Sequence, residues 1–184
     1  MQKVKGLNMG LFTRVPEWQD TLQSGADWLN VMDRPDVAIT KFQRVIELKP
    51  DCADAWFNLG LASEKLASRA FMYERFIGTL PDTVIAGLFV QAEDAYKKAV
   101  ALNPNDSEAY NNLGLLLLKQ PRKVNEAVKM FERSIEIQPK DLKALFNLGR
   151  SYISLGRIGD AQLICDRLKK IDRDSARELR KELG

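Results

Sequence analysis

"AWFNLGLA" at 55–62, "AYNNLGLL" at 109–116 and "ALFNLGRS" at 144–151 are three versions of one phrase. Self-similarity at a fixed offset marks a repeat architecture and is read before anything else. The first two phrases are each followed by an alanine, an aromatic four residues later and then a proline. These anchors are Ala92, Tyr96 and Pro104 after the first phrase, and Ala127, Phe131 and Pro139 after the second. After the third they become Ala161 and Cys165, with Arg173 in the proline's place, while Ala38, Phe42 and Pro50 precede the whole series. Alanine to alanine, the steps are 54, 35 and 34 residues.

The residue types suit pairs of packed helices. Trp56, Leu59 and Ala62 fall on one face of a first helix, and Gly60 and Ala92 are small enough to let two helices approach closely. Tyr96 and Ala99 face back from the second helix. Pro50, Pro104 and Pro139 end each second helix and turn the chain into the next unit. The spacing predicts helices over 17–32, 35–48, 53–78, 82–102, 107–120, 123–137, 142–155, 158–171 and 175–183. No alternating strand pattern is present, so the predicted class is all-α.

The pattern resembles the tetratricopeptide repeat (TPR), a 34-residue helix-turn-helix unit carrying W-x-x-L-G-x-x-Y, then A-x-x-x-F, then P. The resemblance implies an α-solenoid, a right-handed superhelix of helix pairs. It divides the chain into an N-terminal segment (1–18) and a single domain (19–183). Repeats would span about 19–52, 53–106, 107–141 and 142–174, with a capping helix at 175–183. The first repeat carries Leu22, Gly25 and Ala26 in place of the usual Trp, Leu and Gly, and Asp174 or Ser175 is expected to cap the last helix.

Composition narrows the function classes. With 45% hydrophobic and 29% charged residues the 184-residue chain has enough apolar material for a core. Its 28 basic and 25 acidic residues give a net charge of +3, too balanced for a polybasic nucleic-acid binder. The chain has no histidine, which removes Ser-His, Cys-His and His-metal arrangements together. Cys52 and Cys165 form no CxxC pair. The expectation is therefore no enzyme, no cofactor, no metal and no nucleic acid. No signal peptide is read in the first residues, and the longest apolar run, Val84 to Val90, is far shorter than the ~20 residues of a spanning helix. A cytoplasmic location is expected, with a membrane-peripheral one as the alternative.

The 54-residue step exceeds the family's period by 20, so an insertion is read at 67–88, largely coinciding with "RAFMYERFIGTLPDTVIAGLFV" at 69–90. A long hairpin is expected, turning at Gly78 and Pro81, with Thr79 or Asp82 capping the return. Its seam would be Leu66, Ala70, Tyr73 and Ile77 against Val84, Leu88, Ala92 and Ala95. Phe71, Met72, Phe76, Ile85 and Phe89 fall off that seam and form a candidate contact surface. Three covers are open: the chain's own N-terminal Leu11, Phe12, Val15 and Trp18, a partner protein or second copy, or a membrane surface.

In the family, first helices line a concave groove that takes up ligands. By resemblance its positions here are Phe57, Asn58, Leu61 and Lys65, then Asn111, Asn112, Leu115, Leu118 and Lys119, then Lys143, Phe146, Asn147, Arg150 and Ile153. An amide ladder of Asn58, Asn112 and Asn147 suits a peptide backbone, although asparagine there also serves the array itself. A carboxylate clamp found in one subclass is incomplete, because Phe57, Leu61 and Asn147 replace its Lys, Asn and Arg. The leading reading is a protein-binding scaffold or adaptor whose groove favours a peptide or amphipathic helix. The alternative is a membrane-peripheral assembly factor docking through the hairpin.

Overall fold

The computed structural model describes residues 15–77 and 81–184. Among them the helices are α1 (Glu17–Asn30), α2 (Pro35–Leu48), α3 (Ala53–Ile77), α4 (Asp82–Leu102), α5 (Ser107–Leu118), α6 (Val124–Ile137), α7 (Leu142–Ser154), α8 (Ile158–Lys169) and α9 (Arg173–Glu182). A short 3-10 turn at Pro121–Lys123 leads into α6. No strand occurs among the described residues, and the array is an all-α solenoid in which each helix packs on the next. Second neighbours also touch at α1–α3, α5–α7 and α7–α9, so odd-numbered helices share one side.

The prolines act as expected. Lys49, Asn103 and Gln138 each precede one and leave the helical region, with ψ of 83°, 85° and 84°. The pyrrolidine ring crowds the preceding residue out of the α conformation, so each second helix stops there. Asp172 holds the same place before Arg173 and is extended too, with ψ of 116°. Its side chain accepts from Ser175 N at 2.8 Å, so the cap of α9 is Asp172, not Asp174 or Ser175. Here the preceding helix has already ended at Lys169, so Asp172 starts α9 rather than stopping α8. Asp106 and Asp141 cap α5 and α7 in the same way. At α4 the residue before the helix is Pro81, which offers no side-chain cap, so Asp82 is the first helical residue; Thr79 and Gly78 lie outside the described residues.

Packing between paired helices turns on one glycine slot. A Cβ on Gly60 would sit 2.7 Å from the Tyr96 ring, and one on Gly114 would sit 2.6 Å from Phe131. Gly25 meets Phe42 at 2.6 Å in the same way, so Gly25 is the slot glycine itself, a register that its neighbours' departures hide in sequence. Tyr96, Phe42 and Phe131 are fully buried. At Gly149 the occupant is Leu179 of α9, at 2.4 Å from the built Cβ, because Cys165 is too short to reach. The Cys165 thiol instead donates to the Ala176 carbonyl at 3.2 Å.

The core forms two main clusters that meet at α4. Ala92 and Tyr96 belong to the one running through α5 to α9, whereas Ala95 joins Leu29, Phe42, Leu59 and Ala62 of α1 to α3. α3 and α4, at 25 and 21 residues, are much longer than the other helices, which run 10 to 14. Their contact uses small residues: Ser63, Ala67 and Ala70 are buried on α3, with Ile85 and Ala92 on α4. The expected seam is therefore turned. Tyr73 is 64% and Val84 48% exposed, while Ile85, read as a surface residue, is 5% exposed. Close approach of two backbones selects for small side chains over bulky ones, and it rotates both helices accordingly.

Candidate functional site: the face of the odd-numbered helices

At the N-terminal end a cleft opens between α1 and α3, lined by Leu29, Leu61, Ser68, Met72 and Tyr73 among others. Its edge is set by the α1–α2 turn, where Asp33 takes a left-handed backbone (φ 54°) that aspartate tolerates better than most residues. The Asp33 carboxylate is bound by Lys65 at 2.6 Å and also by Arg69, whose Nη1 further donates to the Asp33 carbonyl at 2.8 Å. Hydrogen bonds from Lys65 and Arg69 hold the Asp33 carboxyl below its ordinary range. Lys65, expected in the groove, is thus occupied in joining α3 to the α1–α2 turn.

The middle of this face is bridged by Glu64. It accepts from the Tyr96 hydroxyl at 3.1 Å and from Lys119 Nζ at 2.8 Å, tying α3 to the end of α5. Burial, followed by the nearby Glu64 charge, drives the Tyr96 phenol far upward, so it stays a neutral donor. Phe57 leans on the Tyr96 ring with centroids 6.0 Å apart. Lys119 lies 5.2 Å from the Phe89 ring, and Phe89 is half-buried against the C-terminal cluster, which corrects its reading as an off-seam surface residue.

Toward the C-terminus α5, α7 and α9 enclose two adjoining clefts. Asn111, Leu115, Lys143, Phe146 and Asn147 line one, and Leu118, Arg150 and Ile153 the next. Most of the sequence-predicted positions of α5 and α7 line these clefts, but Asn112 lines neither and Lys119 is bonded to Glu64. The amides, however, serve the array first: Asn147 Nδ2 donates to Oδ1 of the buried Asn111 at 3.0 Å, and Asn58 Nδ2 donates to the Asp54 carbonyl of its own helix at 2.8 Å. Sequence reasoning missed the third wall. Ser175, Glu178 and Glu182 of α9 border these clefts, and Glu182 accepts from Arg150 Nε at 3.1 Å. The signal was Cys165 in the aromatic position, which announces that something else must fill the Gly149 slot.

On the long arms Phe71 and Met72 are 56% and 55% exposed, as expected for a contact surface. The side chain of Phe76, like Leu11 and Phe12, lies outside the described residues. Among the described residues no group of acidic or sulfur side chains is arranged to hold a metal, and no helix is long and apolar enough to cross a membrane.

Three profiles described as tetratricopeptide repeat match residues 32–67, 95–129 and 120–181. The chain belongs to the tetratricopeptide repeat family. Its TPR array is 38% identical over 94 residues to the human PEX5-related protein, covering 50% of this chain and 13% of that one. It is 29% identical over 161 residues to the peroxisomal targeting signal receptor of Kluyveromyces lactis, covering 83% of this chain and 25% of the receptor. The chain therefore spans a quarter or less of the length of these relatives. Among solved structures, MamA superposes with a TM-score of 0.68 at 22% identity, over 88% of this chain and 81% of that one. The first TPR of Spaghetti (RPAP3), bound to the HSP90 peptide SRMEEVD, gives 0.59 at 22% identity, over 76% and 93%. At that identity both speak to the fold. A TPR array is a protein-interaction scaffold, and that is the class of this domain.

Proposed function

We propose that this TPR domain is a non-catalytic adaptor, built of four repeats and a capping helix, that holds a peptide or amphipathic helix along the face of α3, α5 and α7. The observation that carries the reading is the cleft pair between α5, α7 and α9. There Leu115, Leu118, Phe146 and Ile153 present apolar surface beside Lys143 and the Asn111–Asn147 amide pair. That mixture suits a segment with an apolar stripe and a backbone or acidic group to satisfy. The SRMEEVD peptide on the Spaghetti TPR and the receptor names of the longer relatives support a peptide as the ligand class.

Selection of a displayed random-peptide library on the intact chain tests this. Enriched peptides are expected to weaken at least tenfold on Leu115→Glu and on Lys143→Glu, with thermal unfolding little changed. Peptides indifferent to both substitutions would remove the groove from the account. The exposed Phe71 and Met72 favour a second contact surface on the long arms, for a protein, a second copy or a membrane. Phe71→Glu with Met72→Glu, followed by vesicle flotation and light scattering, separates the three. Loss of flotation identifies lipid, loss of a dimer identifies self-association, and no change in either leaves a protein partner.

A further inference from the structure

On the side away from the groove, α2, α3 and α4 enclose a cleft of about 620 Å³ floored by Ile46, Trp56, Leu59 and Gly87. Trp56 is held in place there by its indole N–H, which donates to the Pro50 carbonyl at 2.8 Å. Val90 stands 59% exposed at its wall. The charged groups lining the cleft are both acidic, Glu47 and Asp94. Arg44, at 3.0 Å from Glu47, also reaches Glu17 at the start of α1.

Gly87 is the unexplained residue. Glycine inside a helix is unfavourable relative to alanine, and is kept where something must approach the backbone closely. Gly25, Gly60, Gly114 and Gly149 receive Phe42, Tyr96, Phe131 and Leu179, whereas a Cβ at Gly87, in the interior of α4, meets nothing within 4 Å; Gly159, open in the same way, lies in the first turn of α8. The slot faces a cleft that nothing among the described residues fills.

The N-terminal sequence suits that cleft in charge and apolar content. Residues 1–14 carry Lys3, Lys5 and Arg14 and no acid, with Leu7, Met9, Leu11 and Phe12 between them. They join at Val15–Glu17, where Arg44 links the start of α1 to α2 beside Gln43 and Glu47, both of which line the cleft. Fourteen residues extend to roughly 46 Å at ~3.3 Å each, ample for crossing one helix of ~10 Å diameter and lying along the cleft.

We propose that residues 1–14 of this chain occupy the α2/α4 cleft, with Leu11 and Phe12 over Gly87 and Trp56 and the lysines toward Glu47 and Asp94. The segment then covers the base of the long arms and leaves the groove free, so this inference stands apart from the peptide-binding reading.

Zero-length carbodiimide crosslinking of the intact chain, prepared as an equimolar mixture of 14N and 15N protein, tests it by mass spectrometry. The expected products join Lys3 or Lys5 to Glu47 or Asp94 within one isotope. Their yield is expected to fall at least fivefold in Gly87→Leu, which a cleft with no atom near its Cβ accommodates without unfolding. The same fall is expected in Leu11→Asp with Phe12→Asp. Circular dichroism verifies that both variants keep the helical fold. Mixed-isotope products would assign the cleft to a second copy and overturn the proposal. So would crosslinks from these lysines to other carboxylates, no product, or yields that ignore both variants while the fold is retained.

Discussion

The hairpins α5–α6 and α7–α8 start from nearly the same phrase and close in different ways. In the first, Phe131 of the partner helix enters the Gly114 slot, so the pair is complete in itself. In the second, Cys165 leaves the Gly149 slot open and Leu179 of α9 enters it from outside the pair. The difference teaches that a one-residue change can transfer the closing of a repeat to a neighbouring helix. α9 has only Ala176 and Leu179 buried, yet it completes the last core layer and walls the C-terminal cleft.

The largest expected effect breaks the self-contained hairpin. Phe131→Ala should cost about 3 to 5 kcal/mol by removing a fully buried ring, read from urea unfolding. Leu179→Ala should cost about 2 to 4 kcal/mol, with the loss confined to the C-terminal end. Hydrogen exchange should show α9 deprotected and α5–α6 unchanged; equal deprotection of both would erase the distinction. Cys165→Phe sharpens the comparison, because restoring the aromatic while Leu179 occupies the slot should cost about 1 to 3 kcal/mol from overpacking. In the Leu179→Ala background the same change should be neutral or stabilising, and additive costs in the double mutant would show that the two side chains do not share the slot. Asp172→Ala, which removes the cap of α9, should cost about 1 kcal/mol by thermal unfolding.

A pH-dependent effect concerns the other flank of α5–α6, where Glu93 of α4 accepts from Lys97 at 2.7 Å, Lys123 at 2.8 Å and Gln120 at 3.0 Å. Burial pushes this carboxyl upward, but the bonds from Lys123, Lys97 and Gln120 outweigh it and hold it at about 2, below the ordinary 4.5. A folded-state value below the unfolded one stabilises the protein above the unfolded value, and the contribution is lost as pH falls through the folded one. The window is therefore pH 4.5 down to 2. Wild type should lose stability across it more steeply than Glu93→Gln, and parallel curves would deny Glu93 that part.

The helices were legible because their signals are local: repeated Leu-Gly pairs, alanines at helical spacing and prolines that forbid continuation. Groove positions on α5 and α7 were legible for the same reason, since a repeat puts equivalent residues on one side. The hairpin seam was legible only in part. Ala70, Ala92 and Ala95 are buried as that reading had them, but Tyr73 and Val84 are exposed, and Ser63, Ala67 and Ile85 take the contact in their place. Nor could spacing reveal that Lys65 is taken by Asp33 or that Asn147 is taken by Asn111, because those bonds join residues 32 and 36 apart in the chain.

By itself the sequence determined the class, the helix boundaries to within a few residues and the repeating slot, all of which rest on steric rules acting over one or two turns. Which side chain fills each slot, how far the long arms rotate about each other and which polar groups are free to meet a ligand were decided only by tertiary structure. Those outcomes depend on distances between helices, and several side chains of similar character compete for each place.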